Sequence, residues 1–192
     1  HKIGPFNKTI RVDPDKSLSI RSFLIGSICQ GKSIARNILE SEDVKSTILA
    51  CRKLGVKIEK IKPKNYKIYG KGLGSFSIKK NSELNFGNSG TASRLLIGIL
   101  STTPNIQVKL KGDNSLNKRS MKKLINLMEK FGVTFFPNNK FTFPLKMISS
   151  KMPIGINYKT DVSAQLKSAV ILAGLNSFCL LYTSPSPRDL RL

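Results

Sequence analysis

The chain has 192 residues and a formal net charge of +22, because 33 Lys and Arg residues outnumber 11 Asp and Glu residues. Its apolar share of 40% is ordinary for a globular protein, so we expect one large or two small domains with a real core. No apolar run reaches membrane-spanning length and no secretory signal opens the sequence. We therefore expect neither a membrane protein nor a secreted one. Three scattered cysteines and a lone His1 argue against a metal centre and favour a reducing, cytoplasmic compartment.

The positive charge fits either nucleic acid or small anionic substrates. Lysine supplies 25 of the 33 basic residues, a bias that AT-rich coding alone would produce. Nucleic-acid-binding surfaces usually interleave aromatic and basic residues on one face, whereas the lysines here are dispersed. A basic nucleic-acid-binding module is therefore the less favoured alternative.

The first part of the chain alternates short strands with amphipathic helices. The elements predicted in order are a strand at Thr9–Val12, a helix from Ser17 to about Gln30 ended by Gly31, a β-rich stretch at Ser33–Leu39, a helix N-capped by Ser41 and stopped by Gly55, and a hairpin of Val56–Ile61 and Tyr66–Tyr69.

The central stretch Leu84–Leu100 predicts a short strand, a turn of small residues and a helix. Gly87–Gly90 place little side-chain bulk at the helix start, so free N–H groups and the helix dipole favour an anion there. Arg94 lies one turn into the helix, on the side where it can meet that anion. The alternative is a plain capped helix after a tight turn.

The same order returns in the second part of the chain. The predicted elements are a strand at Ile106–Leu110, a helix over Met121–Met128 that ends at Gly132, strands Val133–Phe136 and Phe141–Phe143 around the turn Pro137–Lys140, a strand at Ile154–Ile156, and a helix at Ser163–Leu175.

These elements repeat at a fixed distance. Arg21, Arg94 and Lys167 are spaced 73 residues apart, and each is followed by an apolar helical stretch. Four positions before each cation stands a small residue: Ser17, Gly90 or Ser163. A solvent-exposed helix face would not need a basic residue at the same position of each repeat, so we interpret the three helix starts as one shared anion-binding face. The alternative is purely structural, because repeated units also have the same kind of N-cap residue.

Gly26–Ser33 satisfies the phosphate-loop pattern G-x-x-x-x-G-K-S. A phosphate loop needs a strand before it and a helix after it. Here the pattern starts inside a helical stretch and runs into a β-rich one. A nucleotide triphosphatase is therefore disfavoured.

Four stretches resemble motifs of the 5-enolpyruvylshikimate-3-phosphate synthase family, in that family's order and spacing. They are Asp15–Arg21 (D/S-K-S-x-S-x-R in the family), Gly87–Arg94 (G-N-[AS]-G-T-x-x-R), Gly112–Met121 (G-D-x-S-L-x-x-R-P-M) and Ser163–Ala169 (S-[AS]-Q-x-K-[ST]-A).

The resemblance implies an α/β fold of the enolpyruvyl transferase type: a lobe of repeated βαβαββ units (inverse α/β barrel type), with two complete repeats and part of a third. Residues 1–176 would form most of the N-terminal lobe of a two-lobed protein whose active site lies between the lobes. Residues 177–192 resemble no part of the family and are expected to be an artefactual or disordered tail.

The resemblance also implies a reaction, in which the enolpyruvyl group of phosphoenolpyruvate moves to the 5-hydroxyl of shikimate 3-phosphate and phosphate leaves. Lys16 would touch both substrates and stabilise charge at the reacting centre. The residues implied to hold shikimate 3-phosphate are Ser17, Arg21, Ser163 and Gln165. On the phosphoenolpyruvate side, Gly90 would admit the ligand, Arg119 would clamp it, and Asn88 and Thr91 would shape the turn. Without the motifs, each of these residues would be interpreted as a cap or a surface group.

Departures from the family pattern are small: Ile20 replaces His or Asn, Ser120 replaces Pro, and Ala164 replaces a second Ser. The related UDP-N-acetylglucosamine enolpyruvyl transferases are an alternative, but their reactive cysteine is missing from Asp113–Met121. Family members are more than twice as long, so this chain is expected to be a fragment without activity of its own. No cofactor, metal, nucleic-acid or membrane partner is expected, and the full-length protein is expected to be a monomer.

Overall fold

The fold was analysed in a computed structural model that describes residues 12–158 and 163–177. The helices in these residues are Lys16–Ile28 (α1), Glu42–Lys53 (α2), Gly90–Ser101 (α3), Asn114–Lys118 (α4), Lys122–Glu129 (α5) and Ala164–Asn176 (α6). The strands are Gln30–Ala35 (β1), Lys57–Lys62 (β2), Asn65–Lys71 (β3), Ser82–Asn85 (β4), Gln107–Lys111 (β5), Thr134–Phe136 (β6) and Leu145–Ile148 (β7). None of these helices combines the length and the apolar character that crossing a membrane requires.

The strands form two sheets that share an order. The first is antiparallel in the order β1-β3-β2, and the second runs β4-β5-β7-β6 with only the β4–β5 pair parallel. Each sheet contains a hairpin, β2–β3 or β6–β7. The second strand of the hairpin pairs with an earlier strand: β3 pairs with β1, which follows α1, and β7 pairs with β5, which follows α3. The order β1-β3-β2 thus recurs as β5-β7-β6, as the predicted repeat requires.

Buried apolar residues from the helices and from both sheets form one core. Helix α3 is buried along nearly its whole length, which explains why it is rich in apolar residues; Thr91 and Arg94 are partly exposed. Its contact with α6 is unusually close because Gly98 has no side chain: a Cβ there would lie 2.4 Å from the carbonyl oxygen of Ala169. This contact brings the N-terminal ends of α3 and α6 together.

Side-chain caps set the helix starts. Helix α1 begins at Lys16, one residue earlier than predicted, because Asp15 accepts a hydrogen bond from the Leu18 amide at 2.7 Å. Ser89 caps α3 and Ser163 caps α6. The predicted N-cap of α2, Ser41, occupies that position without a side-chain capping bond.

The helix predicted to run to Gln30 ends at Ile28, and the strand predicted at Ser33–Leu39 is Gln30–Ala35. The shift has a tertiary cause, since β1 pairs with β3 from Gln30 opposite Lys71 onward. Gly31 therefore lies in a strand, with φ of +88°, and does not end the helix. Gly26 lies inside α1, and β1 follows it. The pattern therefore runs from helix to strand, whereas a phosphate loop requires a strand followed by a helix.

The predicted strand Phe141–Phe143 is wrong: the strand is Leu145–Ile148, and Phe143 instead stacks on Phe86 with ring centroids 6.1 Å apart. Pro144, which has no N–H to donate, separates that core contact from the strand. Ile154–Ile156 forms no strand, and the short helix α4, capped by Asp113, was not predicted. The predicted strand Thr9–Val12, apart from the non-strand Val12, and the tail beyond Ser177 lie outside the described residues.

Candidate functional site

The turn between β4 and α3 is built to leave space at the helix start. Gly87 has φ of +54°, a left-handed conformation that glycine adopts without strain. Gly90 is buried, and a Cβ on it would lie 2.8 Å from Nη1 of Arg94 and 3.4 Å from Nη1 of Arg119. The missing side chain of Gly90 therefore lets two guanidinium groups converge at the N-terminus of α3.

Arg94, Gln165 and Thr91 form a network that connects α3 to α6. Nη1 of Arg94 donates to Oε1 of Gln165 at 2.7 Å and to the Gly90 carbonyl at 3.2 Å. Nε2 of Gln165 donates to Oγ1 of Thr91 at 3.2 Å. Because both ends of the amide are bound, its orientation is determined, and one Nε2 hydrogen stays available for a ligand.

Arg119, at the end of α4, forms the other side of the turn. Its Nη2 donates to Oδ1 of Asn88 at 2.6 Å and to Oγ of Ser115 at 3.3 Å. In the part of the chain that the structure describes, neither Arg119 nor Arg94 has a carboxylate partner. Burial lowers the pKa of the Arg94 guanidinium below its usual value, and the charge of Arg119 lowers it further. Two uncompensated cations at a helix N-terminus favour a bound anion.

A cleft of about 430 Å³ opens beside this network, between α5 and the start of α6. Its polar lining includes Arg94, Lys123, Ser163 and Gln165, and its apolar lining includes Leu124 and Leu166. The cleft has the size and polarity for a small polar ligand, and its described lining contains no Asp or Glu.

The candidates on α1 stand apart from this network. Nη2 of Arg21 donates to Oγ of Ser168 on α6 at 3.2 Å. Nζ of Lys16 pairs with Asp43 at 2.9 Å, and Ser17 is half-buried in the first turn of α1. One turn after Asp43, Ser46 lies against the predicted anion turn, since a Cβ on Gly87 would be 2.8 Å from its Oγ.

The structure thus brings five predicted residues into hydrogen-bonded or close contact at the start of α3, and Ser163 lines the adjoining cleft. The five are Asn88, Gly90, Thr91, Arg119 and Gln165. Lys16, Ser17 and Arg21 of α1 are not bonded to these five; Arg21 contacts Ser168 and Lys16 pairs with Asp43. The sequence analysis placed Arg94 beside the predicted anion without naming it as a substrate-binding residue, and it did not single out Lys123 or Asp43 as site residues. For Lys123 the available signal was a lysine pair directly after the third motif, Gly112–Met121.

Comparison with known proteins gives a consistent result. Residues 1–178 match the family model described as EPSP synthase (3-phosphoshikimate 1-carboxyvinyltransferase). A 3-phosphoshikimate 1-carboxyvinyltransferase of Alkaliphilus oremlandii is 42% identical over 179 residues, which cover 92% of this chain and 41% of the relative. That of Paracoccus denitrificans is 36% identical over 175 residues, covering 91% and 39%.

A solved structure gives the same result in three dimensions. The EPSP synthase of Acinetobacter baumannii matches with a TM-score of 0.79 and 36% identity, covering 88% of this chain and 38% of its own. The α/β architecture of this chain is therefore that of the matched part of EPSP synthase. The chain spans about two fifths of the length of the relatives it matches.

Proposed function

Because the chain belongs to the EPSP synthase family, we propose that it is part of an enzyme that transfers the enolpyruvyl group of phosphoenolpyruvate to the 5-hydroxyl of shikimate 3-phosphate, releasing phosphate. This reaction leads to chorismate and the aromatic amino acids. The observation that carries the proposal is the convergence of Arg94, Arg119 and Gln165 around the bare backbone of Gly90. Both substrates carry phosphate and carboxylate groups, which guanidinium groups bind with two parallel hydrogen bonds.

The two substrates divide the site between them. Ser163 and Gln165, at the start of α6, bind shikimate 3-phosphate together with Ser17 and Arg21 of α1. Ser163 lines the cleft, and Gln165 keeps one free amide hydrogen. Arg21 bonds only to a serine hydroxyl among the described residues, so its remaining donors are available to a phosphate.

Phosphoenolpyruvate binds on the side of α4. Arg119 clamps it, Gly90 lets it approach the helix N-terminus, and Asn88 and Thr91 fix the turn. The 2.6 Å bond from Arg119 to Asn88 supports this role, because it holds the guanidinium at the turn before a ligand arrives.

Lys16 contacts both substrates and stabilises the negative charge that develops at the reacting centre. In the absence of substrate its ammonium pairs with Asp43, and the side chain of Lys16 is 50% exposed. The Asp43 side chain is only 18% exposed, so the ion pair is solvated mainly on the side of Lys16. A substrate anion that reaches this exposed side of Lys16 competes with Asp43 for the ammonium.

The lobe consists of repeated βαβαββ units of the inverse α/β barrel type, two of them complete and a third begun at α6. The recurrence of β1-β3-β2 as β5-β7-β6 supports this count. Residues 1–176 form most of the N-terminal lobe, and the residues beyond 178, where the family match ends, are a tail outside the family pattern. Because the chain spans only about two fifths of the length of its relatives, we propose that it does not catalyse the reaction alone. The cytoplasmic location and the monomeric full-length state stay predictions.

Calorimetric titration of the chain with shikimate 3-phosphate tests the proposal. We expect binding that Gln165→Ala and Arg21→Ala weaken and that Lys80→Ala, an exposed lysine outside the cleft, leaves unchanged. Failure to bind would contradict the proposal. Salt-sensitive binding of DNA or RNA without shikimate 3-phosphate affinity would favour the nucleic-acid alternative, and selective binding of UDP-N-acetylglucosamine would favour the related transferase. Turnover of both substrates by the purified chain would contradict the claim that it is inactive alone.

A further inference from the structure

Helix α5 presents two adjacent lysines in different directions. Nζ of Lys122 lies 5.3 Å from the centroid of the Phe141 ring. Lys123 follows about 100° further around the helix and lines the cleft with Ser163 and Gln165. Lys122 and Lys123 are thus both exposed lysines, but only Lys123 lines the cleft.

The two cations of the cleft also differ in what else they bind. Arg94 is engaged with the Gly90 carbonyl and with Gln165, so it serves mainly to hold the protein side of the site. Lys123 has no hydrogen bond or ion pair with any residue in the described ranges 12–158 and 163–177. It also lines an adjoining cavity of about 510 Å³ with Lys130 and Tyr158, so its side chain stands at the boundary between the two cavities.

We infer that Lys123 is a further substrate-binding residue, whose ammonium pairs with the phosphate of the ligand held at Ser163 and Gln165. This inference deepens the proposed function and rests on it. An ammonium on a flexible stem is a point charge with three donors, which suits a phosphate that carries two negative charges. The cleft has no described carboxylate to compete for it.

The test is calorimetric titration of the unsubstituted chain and of Lys123→Ala with shikimate 3-phosphate and, separately, with shikimate. Loss of one charge-assisted hydrogen bond predicts a Kd for shikimate 3-phosphate about tenfold higher. The Kd for shikimate, which has no phosphate, should not change. Lys123→Arg should retain most of the phosphate-dependent affinity, because it keeps the charge.

Two controls remove the same charge close to Lys123. Lys122→Ala removes the lysine beside Phe141 in α5, and Lys130→Ala removes the lysine that caps the end of α5 and lines only the adjoining 510 Å³ cavity. Each should change the Kd less than about twofold, since solvent and salt screen exposed charges that do not touch the ligand. Because Lys123 is exposed, its removal leaves the core intact, and an unchanged thermal unfolding curve checks this.

The outcomes separate the two proposals. If the unsubstituted chain binds shikimate 3-phosphate and Lys123→Ala behaves like Lys122→Ala, the inference about Lys123 is overturned and the proposed function stands. Equal weakening of shikimate and shikimate 3-phosphate overturns the phosphate contact. No binding of shikimate 3-phosphate to the unsubstituted chain overturns both.

Discussion

Arg94 and Gln165 are separated by 71 residues in the sequence, yet Nη1 of Arg94 donates a 2.7 Å hydrogen bond to Oε1 of Gln165. The bond joins the first turns of α3 and α6, two helices that also touch at Gly98 and Ala169. The bond therefore fixes the motif Gly87–Arg94 and the motif Ser163–Ala169 relative to each other. The geometry of the predicted shikimate 3-phosphate site therefore depends on a residue of the predicted phosphoenolpyruvate turn.

Replacing Arg94 with lysine should break this unit. Lysine cannot bond both the Gly90 carbonyl and the Gln165 amide in the planar geometry of a guanidinium. We expect the free energy of unfolding to fall by about 1.5–3 kcal/mol, the range for hydrogen bonds to charged groups. Chemical denaturation measures this, and the side-chain amide NMR signals of Gln165 should shift. Arg36→Lys, at an exposed position, is the control, and equal effects of the two substitutions would contradict the prediction.

Gly90→Ala should separate binding from stability. The added Cβ would meet the ends of two flexible arginine side chains at 2.8 and 3.4 Å, which can move aside. Displacing Nη1 of Arg94 weakens its bonds to the Gly90 carbonyl and Gln165, but alanine favours the helix over glycine and offsets part of that loss. The free energy of unfolding should therefore fall by less than it does for Arg94→Lys. Phosphoenolpyruvate binding, measured with shikimate 3-phosphate present, should weaken because Arg94 and Arg119 are displaced. Unchanged phosphoenolpyruvate affinity would show that the displaced arginines do not bind it.

Gly98→Ala should damage the fold itself. Its Cβ would lie 2.4 Å from the Ala169 carbonyl oxygen, and a helix backbone cannot rotate away as a side chain can. Overpacking of this kind predicts a loss of about 3 kcal/mol in the free energy of unfolding, measured by chemical denaturation. The matched control is Gly26→Ala in α1, whose Cβ would meet Cδ1 of Ile68 at 3.0 Å. Since the Ile68 side chain can adjust, Gly26→Ala should lower the free energy of unfolding by less than about 1 kcal/mol. A larger decrease for Gly26→Ala than for Gly98→Ala would refute this account of the α3–α6 contact.

Glu40 should make stability depend on acid pH. Its pKa is lowered from 4.5 to about 2, chiefly by Lys60 at 2.8 Å and by the hydroxyl of Tyr66, which donates at 2.6 Å. A lowered pKa in the folded state means that the ionised carboxylate stabilises the fold above pH 4.5. That contribution is lost as the pH falls from 4.5 toward about 2.

Urea denaturation at several pH values checks this prediction. The difference in the free energy of unfolding between the unsubstituted chain and Glu40→Gln should be greatest near pH 7 and shrink toward pH 2. Glu129→Gln, at an exposed position on α5, should give no comparable change. A difference for Glu40→Gln that stays constant with pH would rule out the carboxylate as the cause.

Much of the local structure could be predicted from the sequence because its causes are local. The apolar stripe of α2, the small residues before α3 and the turn between β2 and β3 each act within a few residues of the element they define. The 73-residue spacing and the four motifs also indicated the family, since they preserve residue order along the chain. The strand predicted at Phe141–Phe143 failed for the opposite reason: Phe143 is apolar because it stacks on Phe86, 57 residues earlier, and not because it belongs to a sheet.

The sequence by itself therefore determined most of the elements, their recurring order and the kinds of residue that we predict to meet an anion. Only the tertiary structure decided which of those residues meet one another. It joined Arg94 to Gln165, turned Lys16 toward Asp43, and directed Lys123 rather than Lys122 into the cleft. Such choices follow from the close contact of α3 and α6 and from the rotation of side chains around each helix axis, and both are set by how distant segments pack.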